Sequence, residues 1–257
     1  MLGPMQRRGN IRPGPLVTRL ALALGLSAFP LSGAAFASGC DYVEQVMPVG
    51  VDAGADAALV DAALPEPTSG QSTISSPSAP PLPGETECKV IETKGIEVTQ
   101  AMHLPLCTPI KYATNPPSGG NHWPLWAFYA KYTTPVPREM YVHNLEHGGV
   151  VLSYRCKDAC PEVVAALESV FDAAIDPFCF TQIPKARVVL TPDPDLPAPI
   201  AASAWGATYV ATCIDTTSLL AFVNGSIDQG TERICAGSTD PADVEAACGG
   251  SRSSAAP

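Results

Sequence analysis

The sequence predicts a single α+β domain with a mostly antiparallel sheet and a few short helices, stapled by disulfides. Strand-like and helix-like hydrophobic patterns alternate along the chain without a regular strand–helix–strand repeat, which argues against a parallel sheet. The region that carries these patterns, 88–248, has the length of one ordinary domain. It also holds eight cysteines, an even number that can pair completely in an oxidising compartment, although the sequence does not reveal which cysteines pair.

Residues 1–39 have the pattern of an export signal and are not expected to belong to the fold. Four arginines and no acidic residue accompany an apolar stretch at 20–31, and 35–37 reads Ala-Phe-Ala, a small-residue cleavage pattern. The apolar stretch is too short, and too interrupted by Gly25 and Pro30, to predict a membrane span.

Two cleavage sites compete at the end of this signal. Cleavage after Ala37 would release a soluble protein, whereas Ala-Ser-Gly-Cys at 37–40 resembles a bacterial lipobox, with alanine in place of the usual leucine. The cysteine count favours the lipobox, because lipidation of Cys40 leaves eight cysteines to pair. We therefore predict a cell-envelope lipoprotein, held on a membrane through Cys40 in the periplasm or at the cell surface. A secreted soluble protein is the alternative.

The segment 40–87 is predicted to be a disordered tether. From residue 41 it contains no Lys, Arg, Trp or Phe and is rich in Ala, Pro, Ser, Gly and acidic residues, so it cannot bury enough apolar surface to order itself. A tether of this kind would hold a folded domain away from the membrane. The tail 249–257 is predicted to be disordered as well.

Within 88–248, alternating or continuous apolar runs predict strands, and patterns of helical period predict helices. The predicted strands are 90–99, 108–112, 125–132, 150–154, 187–191 and 200–205. The predicted helices are 138–147, which Gly148 would stop, 160–171, with Pro161 in its first turn, 215–223, capped by Asp215, and 240–248.

The charge of the chain excludes some classes of partner. It has 25 acidic and 15 basic residues, a formal net charge of −10, and loss of the arginines in 1–39 would make it more acidic still. Such a chain is not expected to bind nucleic acid or to adhere to anionic lipid through a basic face. No feature of the sequence identifies a protein partner.

All four histidines of the chain fall in one short stretch, from His103 to His147. His122 follows the stiff turn Pro-Pro-Ser-Gly-Gly at 116–120, and His143 lies four residues before His147, which puts both rings on one face of a helix. Clustered imidazoles are ligands for zinc, copper or nickel. We predict that the four histidines form a transition-metal site, with copper and zinc as the leading ions.

The segment 143–147, His-Asn-Leu-Glu-His, also matches HxxEH, the inverted zinc-peptidase pattern, in which the glutamate is a general base. Glu146 is therefore a candidate catalytic residue. However, Gly148 would end the helix at once, and no downstream acidic ligand stands out. The alternative role for Glu146 is to accept a hydrogen bond from a ligating imidazole. Met102 or Met140 would favour copper if its thioether joined the ligands.

These residues resemble the bacterial domain-of-unknown-function family 3105. The family is similar in a run Asn-Pro-Pro-Thr-Ser-Gly-x-His, here 115–122, and in a run Val-His-x-Leu-Glu-His-Gly-Gly-Val, here 142–150. His-Leu-Pro at 103–105 and Ala-Trp-Gly at 204–206 also fit, so the resemblance covers roughly 95–227. The Thr-Ser pair of the family is Ser-Gly here. The resemblance implies an exported or membrane-anchored bacterial protein and no particular reaction.

Three functions are compatible with these patterns. The first, which we predict, is binding, storage or delivery of a metal ion at the cell envelope. The second is a metal-dependent hydrolase or redox enzyme that uses Glu146 as its base. The third is a metal-free extracytoplasmic binding module in which the histidines only tie two loops together.

Overall fold

The computed structural model describes residues 69–156, 159–182 and 186–249. The predicted signal at 1–39, the predicted lipidation site Cys40 and the tail from residue 250 lie outside these ranges. Within them, no helix combines the length and the apolar character that a membrane crossing requires.

A mostly antiparallel sheet of six strands lies at the centre of the domain. The strands are β1 (Gln71–Ser75), β2 (Val90–Lys94), β3 (Val150–Tyr154), β4 (Val188–Pro192), β5 (Ile200–Ala204) and β6 (Ala207–Ala211). They lie in the order β1-β2-β6-β5-β3-β4, and only β3 and β4 pair in parallel. The helices in the described residues are α1 (Arg138–Glu146), α2 (Pro161–Ala173), α3 (Thr216–Ser226) and α4 (Pro241–Ala247). The predicted α+β class is confirmed.

Helices cover both faces of the sheet because β3 is apolar on both of its faces. Val150 and Leu152 belong to an apolar cluster with side chains from α2 and α3. Val151 belongs to a second cluster with α1. Successive side chains of a strand point to opposite faces, so this division follows directly from the strand geometry. The strand predicted at 150–154 is confirmed, and Val150 to Ser153 are buried.

The helix α1, which carries the HxxEH segment, is buried from Glu139 to Glu146 and ends where the glycines begin. Gly148 has a φ of 77°, a conformation that favours glycine. A Cβ at Gly149 would lie 2.7 Å from the carbonyl oxygen of Asn144. The glycine pair therefore stops α1 within one residue of the predicted end and turns the chain into β3.

The strands predicted at 108–112 and 125–132 are wrong. The second segment forms only isolated bridges, at Ala127 and Lys131. The side chain of Asn144 takes the place of a neighbouring strand there, since its Oδ1 accepts from the amide of Ala127 at 3.0 Å and its Nδ2 donates to the Ala127 carbonyl at 2.8 Å. Among the aromatic residues of this segment, Tyr129 and Tyr132 pack in the cluster against α1, whereas Phe128 is exposed. The strand predicted at 90–99 stops at Lys94, before Gly95.

The predicted tether 40–87 extends too far, because β1 lies within it and pairs with β2. Further along, Leu82 is 8% exposed in the main apolar cluster, and its amide donates to the carbonyl of Thr212 at 2.9 Å. Every side chain of β1 is exposed. Backbone hydrogen bonds to the neighbouring strand β2 hold β1 in place. The amino-acid composition of the segment does not reveal such bonds. The ordered domain therefore begins before residue 88.

The eight cysteines of the described residues are all paired. The disulfides are Cys88–Cys213, Cys107–Cys248, Cys156–Cys160 and Cys179–Cys235. The prediction that eight cysteines pair completely is confirmed, and the spacing at 156–160 belongs to a disulfide. Four disulfides in one domain suggest an extracytoplasmic location.

Candidate metal centre

Three of the four histidines converge with Glu146. One ring nitrogen or carboxylate oxygen from each of His103, His122, His143 and Glu146 lies within 4.8 Å of the others. The ring centroids of the three histidines are 4.6 to 4.9 Å apart. We call these four residues the three-histidine group. A group of this composition and spacing could hold a metal ion.

Main-chain pairing places His103 beside His122. The amide of Leu104 donates to the carbonyl of His122 at 2.8 Å, and the amide of His122 donates to the carbonyl of Met102 at 3.1 Å. The two segments form a short parallel bridge at the two histidines. The rings are thereby brought together from positions nineteen residues apart in the chain.

Hydrogen bonds to main-chain carbonyls orient the two buried rings. Nδ1 of His122 lies 2.8 Å from the carbonyl oxygen of Gly120, and Nδ1 of His143 lies 2.8 Å from that of Trp123. Because a carbonyl only accepts, each Nδ1 carries the proton and donates. Each Nε2 is then left with a lone pair for another partner. Histidines that ligate metals are commonly oriented in this way by an acceptor on the second ring nitrogen.

The closest contact in the group joins Nε2 of His122 to Oε2 of Glu146 at 3.0 Å, and both side chains are buried. Since Nδ1 of His122 is the donor to Gly120, a neutral ring would present a lone pair to a carboxylate oxygen. Two acceptors this close require a shared proton or a metal ion. Two ligands of one ion, each about 2.1 Å from it, lie roughly 3.0 to 3.4 Å apart at bond angles of about 90 to 110°. The observed separation is within that range.

Burial sets the protonation of the group in favour of ligation. The pKa of His143 is lowered to about 3, chiefly by burial and also by the neighbouring His147, His122 and His103, against the opposing effect of the hydrogen bond to the Trp123 carbonyl. For Glu146, burial alone would raise the pKa, but the contact with His122 and the nearby imidazoles outweigh it, so the pKa is lowered. At neutral pH the group therefore contains a neutral imidazole and a carboxylate, the forms that bind metals.

The structure places His147 in a neighbouring group rather than with the other three histidines. Its ring packs against that of His143 at 4.5 Å between centroids, but its Nε2 contacts Oε2 of Glu232 at 3.1 Å. One atom each from Glu146, His147 and Glu232 lie within 4.8 Å of one another. The residue follows the last helical position of α1. The expected single cluster of four imidazoles is thus two groups that share Glu146.

Trp126 forms a wall across both groups. Its ring lies 4.8 Å from that of His143 and 4.4 Å from that of His147, and its Nε1 donates to the carbonyl of Ala236 at 2.9 Å. On the other side, the side chain of His103 is 50% exposed. The centre is therefore shielded by an aromatic ring and opens to solvent at His103.

The family model described as "Protein of unknown function (DUF3105)" matches residues 103–237, which is more than half of the chain. The chain belongs to this family. The DUF3105 match begins at His103 and extends past Glu232, so it contains both groups. The resemblance inferred from the motifs is confirmed. No curated protein and no solved structure shows significant similarity to the chain.

The sequence motifs did not identify the roles of two residues of this DUF3105 domain. Asn144, inside the HxxEH segment, holds the loop at Ala127 through two hydrogen bonds, and its position inside the motif was the only available signal. Glu232 supplies the downstream carboxylate that the helical pattern did not reveal, because it lies on a loop with no motif of its own. The catalytic role predicted for Glu146 stays a prediction.

Proposed function

We propose that this protein is an exported, lipid-anchored domain that binds a transition metal ion through the three-histidine group and holds or delivers it at the cell envelope. The observation that carries the proposal is the buried contact between Nε2 of His122 and Oε2 of Glu146 at 3.0 Å. These two acceptors need a cation between them. One ligand atom each from His103 and His143 also lies within 4.8 Å of ligand atoms of His122 and Glu146.

A shared proton alone accounts for less of the geometry than a metal ion does. It would satisfy His122 and Glu146, but it gives no reason for the approach of two further imidazoles to the same carboxylate. His143 is buried with Nδ1 already bonded to a carbonyl, and it still places a ring nitrogen within 4.8 Å of the other ligand atoms of the group. A metal ion engages all of these atoms at once.

The ligand chemistry favours zinc or copper. Three imidazoles and one carboxylate form a nitrogen–oxygen set that suits zinc and copper(II). The cysteines of the described residues are all in disulfides, so none of them offers a thiolate. Met140 is fully buried in the apolar cluster around α1. These cysteines and Met140 therefore do not supply the soft ligands that select copper(I).

The exposure of His103 is consistent with a metal ion that can be transferred to another protein or ligand. Its side chain is half exposed, whereas His122 and His143 are almost completely buried. Its Nε2 lies 3.8 Å from Oε2 of Glu146, farther than that of His122. A ligand at the surface can leave first and admit a competing acceptor, which is what delivery to a partner requires.

Elemental analysis of the oxidised protein, purified from its native compartment, tests this proposal. We expect zinc or copper at a near-stoichiometric level. His103→Ala should weaken metal affinity by at least about tenfold, the lower end of what loss of even an outer-shell partner costs. The matched control is Thr99→Ala, since Thr99 is an exposed residue of the same segment and is not one of the candidate ligands. Metal-free protein that also fails to take up either ion would leave only the metal-free binding module.

The proposed lipid anchor has a separate test. Cys40→Ser is expected to move the protein from the membrane fraction to the soluble fraction, because serine cannot carry the thioether-linked lipid. Ser38→Ala, in the same segment, is the control and should leave the protein on the membrane. Wild-type protein found in the soluble fraction would support the alternative cleavage after Ala37.

A further inference from the structure

We infer that the domain holds a second metal ion beside the first, bound by His147 and Glu232, with the carboxylate of Glu146 shared between the two ions. This inference rests on the proposed function, because Glu146 is a ligand in both groups. The centre would then be a pair of cations bridged by a carboxylate, in place of one mononuclear site.

The shared position of Glu146 is the first observation. Its carboxylate lies within 4.8 Å of ligand atoms in the three-histidine group and also of ligand atoms of His147 and Glu232. A carboxylate has two oxygens and about four lone-pair sites, so it can accept from two cations. Carboxylate-rich protein sites often hold two ions about 3.5 to 4 Å apart. The adjacent rings of His143 and His147, 4.5 Å apart, would each face one ion.

The second observation is the state of His147. The residue is 1% exposed, and within the described part of the chain its Nδ1 has no hydrogen-bond partner. His122 and His143 differ, since a carbonyl accepts from each of their Nδ1 atoms. A hydrogen bond to the main chain therefore does not explain why the His147 ring is buried. Its Nε2 lies 3.1 Å from Oε2 of Glu232, the separation expected of two ligands on one ion.

The third observation is that the main chain holds Glu232 in place. Its amide donates to the carbonyl of Glu146 at 2.9 Å, which joins the loop to the end of α1. Gly230 allows this approach, because a Cβ there would lie 2.2 Å from the same carbonyl oxygen. The disulfide Cys179–Cys235 anchors the loop three residues further on. The half-exposed carboxylate of Glu232 is thus delivered to His147 by a fixed backbone.

A buried arginine fixes the other end of the same loop. Arg187 is fully buried, and its Nη2 donates to Oδ1 of Asp228 at 2.8 Å. Its Nη1 donates to the carbonyl of His147 at 2.7 Å. The guanidinium also pairs with Asp176 at 2.7 Å. The Arg187 guanidinium therefore joins His147, which would bind the second ion, to the loop that carries Glu232.

The experiment counts zinc ions per chain by native mass spectrometry of the full, oxidised protein. We expect two ions in the wild type and one in Glu232→Gln, because the amide removes the charged ligand at a half-exposed position without a change of shape. Glu162→Gln, an exposed glutamate in the first turn of α2, is the matched control and should retain two. Cadmium-113 NMR gives a second readout, with two signals in the wild type and one in Glu232→Gln.

The outcomes separate this inference from the proposed function. One ion in the wild type, with no change in Glu232→Gln, would overturn the second ion and leave the first. Two ions in both proteins would also overturn it, since Glu232 would then not be a ligand. No ion in the wild type would remove both proposals together.

Discussion

A His122→Ala/His143→Ala double variant is expected to lose the metal ion of the three-histidine group. Both rings are buried, and both direct Nε2 to the group while Nδ1 is held by a carbonyl. The variant removes two ligands together with their orientation, so the affinity should fall by far more than the 10- to 100-fold that loss of one orienting partner costs. Competition with a metal-chelating dye measures the affinity of the wild type and of the variant.

The control for this variant must also replace two buried polar side chains. Ser153→Ala/Ser203→Ala does so, because both serines are fully buried in neighbouring strands and their hydroxyl groups lack a hydrogen-bond partner in the described structure. Circular dichroism and the disulfide content establish that each variant folds. Retention of wild-type affinity by a folded His122→Ala/His143→Ala protein would contradict the proposed site.

Removal of the Cys107–Cys248 disulfide is expected to produce a large loss of stability. It joins residues separated by 141 positions, and constraint of so long a loop in the unfolded chain is worth roughly 5 kcal/mol. Nearby hydrogen bonds between strands do not compensate, since the segment around His103 and Cys107 makes only an isolated bridge. Chemical denaturation of Cys107→Ala/Cys248→Ala measures the free energy of unfolding.

The short-range disulfide supplies the comparison. Cys156 and Cys160 are separated by four positions, so Cys156→Ala/Cys160→Ala is expected to lose roughly 2 kcal/mol. Metal affinity should also fall in the Cys107→Ala/Cys248→Ala variant, because His103 lies four residues before Cys107 in the segment that this disulfide anchors, and should be unchanged in the short-range variant. Equal losses of stability in the two variants would show that loop entropy does not govern these disulfides.

Segments whose structure depends on nearby residues were predictable. The continuous apolar run of β3 predicted a buried strand, and Gly148 predicted the end of α1. Asp215 was expected to cap α3, and its side chain does accept from the amide of Ser218. For the end of α1 and the cap of α3 the decisive contact lies within a few residues, and for β3 the apolar run itself indicated burial, so the local pattern contained the information.

Two segments whose structure depends on distant partners were not predicted correctly. All side chains of β1 are exposed, and the strand exists because β2 offers a sheet edge. The segment 125–132 looked like a strand, but the side chain of Asn144 bonds to Ala127 where a neighbouring strand would have been. Burial and pairing with a remote part of the chain override local propensity in such cases.

The sequence by itself determined the class of the domain, the complete pairing of eight cysteines and the crowding of the histidines into one stretch. Only the tertiary structure decided which atoms meet. It separated His147 from the other three imidazoles, placed Glu146 between the two groups and brought Glu232 from a distant loop. The physical reason is that ligand geometry depends on ring orientation and on main-chain contacts between distant segments. The spacing of residues along the chain determines neither of them.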